Sequence, residues 1–485
     1  MTKTLARTAA AAALTILAAG PLAAQTQTTF HKYVANGDSI TAGVQGNCLV
    51  ARNQRTAYPV LVANALGITD FQEPLVGESR TVTNASTACL GPSIVAGAIQ
   101  PGPVSQPGAP LNTTLPRPYD NLGMPSAKAQ DLIDLRVSNP AGGGVQASAA
   151  LVLRNFPGGP FENRNAIDET NLLSPDLVSV WIGANDVLGA ALAGVAIENV
   201  TMTPKATFDS KYAAVIGGLK ATGRTLVVLN IPDVTAVPFA TTLGISRTVG
   251  TTTVPYLGPR TTPGCLTAPC PIPAGSLVTL QAGPLLATGH GIPLAAGGLG
   301  DALPDGTVGA TGLVPGVILY PDEVALIQQR TNDINATIAS VAAANNAILI
   351  DIHAIFEDIK AHGYEVGGIT FTNALLQGGL FSADGFHPSN IAHAIIADEI
   401  IKALNRTNGS HIPEVNFQAA FFTPNVPPSA ATALSSNDFW RSIFAMFPPD
   451  MDVVLPTEER SAPIAPTRPP RGNRGSMVKR GDLVQ

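Results

Sequence analysis

The residue types able to do covalent chemistry stand at two ends of a long stretch. Near its start, Tyr33-Val34-Ala35-Asn36 runs into Gly37-Asp38-Ser39-Ile40-Thr41-Ala42-Gly43. Far downstream comes Phe381-Ser382-Ala383-Asp384-Gly385-Phe386-His387-Pro388-Ser389. A serine hydroxyl is a poor nucleophile until a neighbouring base removes its proton. That base is usually a histidine, oriented by a carboxylate on its other ring nitrogen. Asp384 and His387 are three residues apart just before a helical pattern, a spacing that lets carboxylate and imidazole meet within one turn. An attacked carbonyl also needs donors for its developing oxyanion. Asn185, in Gly183-Ala184-Asn185-Asp186 after an apolar run, offers a side-chain amide for that purpose.

These side chains need a scaffold that brings distant segments to one edge. Lys32 to Ala35 read as a strand. Leu177 to Gly183, Thr225 to Ile231 and Ala347 to Asp351 are near-continuous apolar runs, the pattern of strands covered on both faces. Tyr58 to Gly67, with its closing glycine, reads as a helix, as does Asp131 to Leu135. Val324, Ile327, Thr331, Ile334, Ile338 and Val341 form one helical face. A final helix opens at Ser389 or Asn390 and buries Ala392, Ile396, Ile400 and Ala403. Strands alternating with helices predict an α/β chain: a three-layer α/β/α sandwich on a central parallel sheet. In such sheets ligands bind beyond the carboxyl ends of the strands, where Ser39 and Asn185 would lie. Residues 69–118 read as loop, a surface excursion. Residues 239–319 are rich in Gly, Pro and Thr and read as an insertion near the active-site edge.

Gly37-Asp38-Ser39-Ile40, Gly183-Ala184-Asn185-Asp186 and Asp384-Gly385-Phe386-His387, in that order, resemble the blocks of the SGNH hydrolases, the GDSL esterase/lipase family. The resemblance covers Lys32 to Leu404 and implies a flavodoxin-like SGNH fold for residues 30–405. It implies Ser39 as nucleophile, His387 as general base and then acid, and Asp384 as its orienter. Asn185 and the backbone N–H of Ser39 would be oxyanion donors. The second family block normally supplies a glycine N–H as third donor. Here Asn121-Leu122-Gly123-Met124-Pro125-Ser126 resembles it, with Ser126 at the glycine position. Gly123 is the fallback and Gly77 a more distant one. The implied activity is hydrolysis of carboxylic esters through an acyl-enzyme, without cofactor or metal. The implied substrate is a small-molecule or lipid ester, or an acetylated glycan, the apolar composition favouring lipid-like groups.

The chain has 485 residues, of which 45% are hydrophobic and only 13% charged. Its net charge of −6 lacks the basic stripe that nucleic-acid binding needs. Lys3 and Arg7, the apolar run from Ala9 to Gly20, and Ala23-Ala24 read as a signal peptide over residues 1–24. The mature chain would be secreted or periplasmic, with peripheral contact to a lipid surface allowed by its composition. Four cysteines fit an oxidising compartment. Cys265 and Cys270 could staple one loop, leaving Cys48 to pair with Cys89, although four cysteines allow three connectivities. There is no nucleophile elbow, phosphate loop or zinc-binding helix motif. His353 reads as structural, His393 as a surface residue, and Asp186 and Asp233 as cleft-lining or helix-capping. Residues 406–455 form an extension, with a docking segment from Phe439 to Phe447, and residues 456–485 a disordered tail. Two other functions fit less well: an exported binding protein on this scaffold, motivated by Ser126, and a metal-dependent hydrolase using Asp38, Asp384 and His387.

Overall fold

The structure is a computed structural model that describes residues 29–417, apart from 96, 97, 311 and 367. The signal-peptide segment, the docking segment from Phe439 to Phe447 and the tail lie outside the described residues, as does most of the extension.

Five strands form one parallel sheet: β1 (Tyr33–Gly37), β2 (Asn121–Gly123), β3 (Leu177–Trp181), β4 (Thr225–Leu229) and β5 (Ile348–Ile350). Their spatial order is β5-β4-β3-β1-β2. This is the flavodoxin-like doubly wound order, which reverses direction beside β1. Around it run α1 (Ser39–Ala42), α2 (Tyr58–Ala65), α3 (Ala166–Leu173), α4 (Asn185–Ala193), α5 (Lys205–Leu219), α6 (Pro321–Asn345), α7 (Ile352–His362) and α8 (Asn390–Asn408). The fold is thus a three-layer α/β/α sandwich.

The apolar runs are continuous because each face of the sheet is covered. Val34, Val178, Val180 and Val228 pack against Ile167, Tyr212, Ile334 and their neighbours on α3, α5 and α6. Tyr33, Ala35, Leu177, Trp181, Val227 and Leu229 pack the other way, against Tyr58, Val62, Ile396 and Ile400 on α2 and α8. The period of two along each strand sorts these side chains.

Register positions the site. Gly37 pairs with Gly123 on one side and Trp181 on the other. Trp181 pairs with Leu229, and Leu229 with Ile350. All five strands therefore end in one row, and the segments leaving that row share one edge.

Residues 69–118 do not form the irregular loop expected. Val76–Ser79, Cys89–Val95 and Ala98–Pro110 make a three-stranded antiparallel ribbon. Strand pairing here overrides the low strand propensity of its many prolines and glycines. Residues 239–319 carry their own apolar cluster, including Tyr256, Ile272, Val278, Ile292, Leu303 and Ile318. Cys48 is bonded to Cys89, joining the ribbon to the loop after α1, and Cys265 to Cys270.

His393 is a correction. The expectation put it at the surface, but it is 0% exposed. Helix α8 is covered by α2 and also by Phe371 and Leu380, so almost no polar face remains. The Tyr58 N–H donates to His393 Nδ1 at 3.3 Å. Burial, with the charge of His387, pushes its pKa down to about 3, so it stays neutral.

Candidate active site

Ser39 opens α1 directly after β1. Asp38 caps that helix, its Oδ1 accepting the Ile40 N–H at 3.0 Å. Burial pushes the Asp38 carboxyl up to about 7, against that hydrogen bond and the nearby His387. Asp38 is thus spent on the turn. Among the described residues no group of three or more His, Cys, Asp or Glu is placed to hold a metal ion.

Asp384 and His387 occupy the turn that leads into α8. His387 Nε2 lies 2.9 Å from Ser39 Oγ. His387 Nδ1 lies 2.8 Å from Asp384 Oδ2. With Nδ1–H donated to Asp384, Nε2 is left to accept the serine proton. Burial would raise the Asp384 pKa, but the charge of His387 and hydrogen bonds from His387 and Phe386 outweigh it and hold it below the usual carboxylate value. A charged imidazole at His387 would therefore face a carboxylate. Gly385 makes the turn possible: its φ is +81°, and a Cβ there would stand 2.8 Å from the Phe239 nitrogen.

Asn185 opens α4 just beyond β3. Its Nδ2 donates to the Ala127 carbonyl at 2.9 Å, and the amide carries a second hydrogen. The neighbouring Asp186 is fully buried, and its Oδ2 accepts the Ala129 N–H at 2.9 Å. Asp186 thus braces the second-block loop, a role the sequence did not show; burial lifts its pKa to about 6. Asp233 caps no helix: its Oδ1 accepts from the Thr235 N–H and hydroxyl at 2.8 and 2.7 Å.

Ser126 is exposed and sits at φ +69°, the left-handed region in which a glycine is most at ease. The serine has kept the backbone shape. No described residue accepts the N–H of Ser126 or of Ser39. Gly123 is not available in that way, because its N–H donates to Asn121 Oδ1 at 3.0 Å. Gly77 lies in the antiparallel ribbon. His353 stands at the start of α7, where its backbone N–H donates to Asn230 Oδ1 at 2.9 Å, outside the line of contacts from Ser39 through His387 to Asp384.

The sequence profile of the GDSL-like lipase/acylhydrolase family matches residues 33–400. The chain belongs to that family. It is accordingly a carboxylic ester hydrolase in the general sense. Among solved structures it is similar to a lipase/acylhydrolase from Enterococcus faecalis, at 14% identity and TM-score 0.31, covering 78% of this chain and 96% of that one. It is also similar to phospholipase A1 from Streptomyces albidoflavus, at 15% identity and TM-score 0.31, covering 78% and 99%. An acetyl-xylooligosaccharide esterase from Geobacillus is a third, at 11% identity and TM-score 0.32, covering 79% and 95%. No curated protein matches the chain significantly.

Around this GDSL-family site the surface is apolar on one side. A cleft of about 580 Å³, its open mouth included, runs between α7 and α8 under the His387 turn. Ile40, Ile355, Phe386, Pro388, Ala392 and Ile395 are among its lining residues. Ile40 follows the serine, and Phe386 and Pro388 bracket the histidine. The segment from 239 packs on the same turn: the Phe239 N–H donates to the Gly385 carbonyl at 2.9 Å, and the Phe239 and Phe386 rings meet edge to face.

Proposed function

We propose that this chain is an exported serine esterase that hydrolyses carboxylic esters through an acyl-enzyme, with Ser39, His387 and Asp384 as its triad. The observation that carries the reading is the unbroken line of contacts from Ser39 Oγ to His387 Nε2 at 2.9 Å and from His387 Nδ1 to Asp384 Oδ2 at 2.8 Å. His387 takes the serine proton as Oγ attacks the ester carbonyl. The N–H groups of Ser39 and Ser126 and the Asn185 amide receive the oxyanion. His387 then protonates the departing alcohol, and water, activated by the same imidazole, releases the acid. Export is supported by two disulfides.

The apolar cleft favours esters with a hydrocarbon chain over acetylated glycans, which would need polar lining groups. Ser126 does not favour a binding-only protein, since a backbone donor depends on φ and not on the side chain. The deciding test is Ser39→Ala in purified protein. Turnover of p-nitrophenyl butyrate should vanish, and a fluorophosphonate probe should label the parent chain but not the variant. Unchanged turnover in the variant refutes the assignment.

A further inference from the structure

Gln45 to Cys48 form a two-residue hairpin. Gln45 N–H donates to the Cys48 carbonyl at 3.1 Å, and Cys48 N–H returns to Gln45 at 3.0 Å. Both central residues have positive φ, +56° at Gly46 and +61° at Asn47. This is the turn that a Gly-Asn pair favours. The two central N–H groups reach into the turn that carries Asp384. Gly46 N–H donates to Ser382 Oγ at 3.0 Å, and Asn47 N–H to Asp384 Oδ2 at 2.8 Å.

Asp384 draws its other hydrogen bonds from its own turn. Ser382 Oγ, Phe386 N–H and His387 N–H donate to Oδ1 at 3.1, 3.0 and 2.9 Å, and His387 Nδ1 meets Oδ2. Among the described residues, Asn47 is the donor that comes from elsewhere in the chain. It acts on Oδ2, the oxygen that also orients the imidazole. Phe239 and Gly46 hold the backbone and Ser382 of this turn from outside, whereas Asn47 alone of the described outside donors fixes the carboxylate itself.

The hairpin is in turn fixed by the ribbon. Cys48 is bonded to Cys89, and the Leu90 N–H donates to the Gly46 carbonyl at 2.7 Å. A Cβ on Gly46 would fall 2.0 Å from the Leu90 oxygen, so the two segments touch backbone to backbone. Gln45 Nε2 donates to Asn390 Oδ1 at 2.7 Å, at the start of α8.

We propose that the Gln45–Cys48 hairpin is the positioning element for the triad acid, and that the Cys48–Cys89 bridge makes the ribbon of residues 76–110 its strut. The proposal rests on the triad reading above. Without the bridge the hairpin keeps its hydrogen bonds to Leu90 and Asn390 but loses its covalent tether, so Asp384 Oδ2 is held less firmly and the imidazolium with it. Misplacement on the scale of 1 Å costs about 100-fold in rate.

The test compares four variants with the parent on p-nitrophenyl butyrate. They are Cys48→Ala with Cys89→Ala, Cys265→Ala with Cys270→Ala, Asn47→Val and Asn47→Gly. Circular dichroism and melting establish folding. Removing the first bridge should lower kcat about 10-fold or more with KM nearly unchanged, and move the acid limb of the pH–rate profile to lower pH. Removing the second bridge, which closes a loop of five positions within its own segment, should do neither. The exposed Asn47 side chain allows a clean pair: Val is strained at φ +61° and should lose activity, while Gly accepts the turn and keeps the N–H. If the first double variant does not fold, the Asn47 pair decides. A folded first variant with parental kcat and pH profile overturns the proposal, as does an Asn47→Val variant with parental values. Retained activity in Ser39→Ala would instead remove the triad reading itself.

Discussion

The Asn185 amide donates to the Ala127 carbonyl at 2.9 Å, tying the segment after β3 to the segment after β2. The next residue, Asp186, takes the Ala129 N–H of the same loop. Two consecutive side chains thus fix both the proposed oxyanion donor Asn185 and the loop that carries Ser126. Donors fixed before reaction cost no reorganisation when charge develops. Asn185→Ala should lower kcat by about 10²–10³-fold with little change in KM, as loss of one such donor does elsewhere. A fall of less than about threefold would take Asn185 out of the oxyanion site.

In the proposed oxyanion hole, Ser126 would offer its N–H through backbone shape alone. Its φ of +69° suits glycine, and its side chain is exposed. Ser126→Gly should keep kcat within about twofold, because the donor and its direction survive. Ser126→Val should lower kcat by 10-fold or more, because a β-branched residue is a true outlier at that φ. Equal kcat in both variants would show that the N–H of residue 126 does not meet the oxyanion.

The parallel sheet was legible because its strands are buried on both faces, so Leu177–Trp181 and Thr225–Leu229 are apolar throughout. Asp384 and His387 were legible because their contact is local, three residues within one turn. Strand β2 was not: three residues carry too little pattern, and pairing with β1 alone defines it. His393 was misread because amphipathic spacing assumes one wet face, which α8 lacks. The Asn47 contact joins residues 337 positions apart, and no local pattern encodes it. A Gly-Asn pair favours a two-residue hairpin, but nothing in that pair encodes what the hairpin holds.

Buried carboxyls give the protein an alkaline weakness. Glu169 is 0% exposed, and among the described residues neither of its side-chain oxygens has a hydrogen-bond partner. Burial lifts its pKa from 4.5 to about 9, against the opposing charge of Arg154. Glu73 is lifted to about 8 by burial. A carboxyl whose folded pKa is raised binds its proton more tightly when folded. Stability therefore falls as pH rises from the unfolded value through the folded one, here between about 4.5 and 9. The melting temperature should drop from pH 5 to pH 9, and Glu169→Gln should flatten that drop. The variant's advantage should grow with pH. Parallel curves for parent and variant would show that Glu169 does not titrate in this range.

The apolar cleft gives a prediction about chain length. Ala392 lies half-buried in the first turn of α8 and lines the cleft with Ile355 and Ile395. Each methylene taken from water into such a site contributes about 0.8 kcal/mol, roughly a fourfold gain in binding. The parent's kcat/KM should therefore rise from acetate to octanoate among p-nitrophenyl esters. Ala392→Trp fills the cleft, and should lower octanoate turnover about 10-fold or more while leaving acetate within about twofold. A second series separates the two sides of the ester: acetates of graded alcohols. If the variant's loss grows with alcohol length instead, the cleft holds the leaving group, consistent with His387, its proposed proton donor, lying between Phe386 and Pro388. A loss of the same size at every length, on both series, would show that Ala392→Trp perturbs the triad and that no chain enters between α7 and α8.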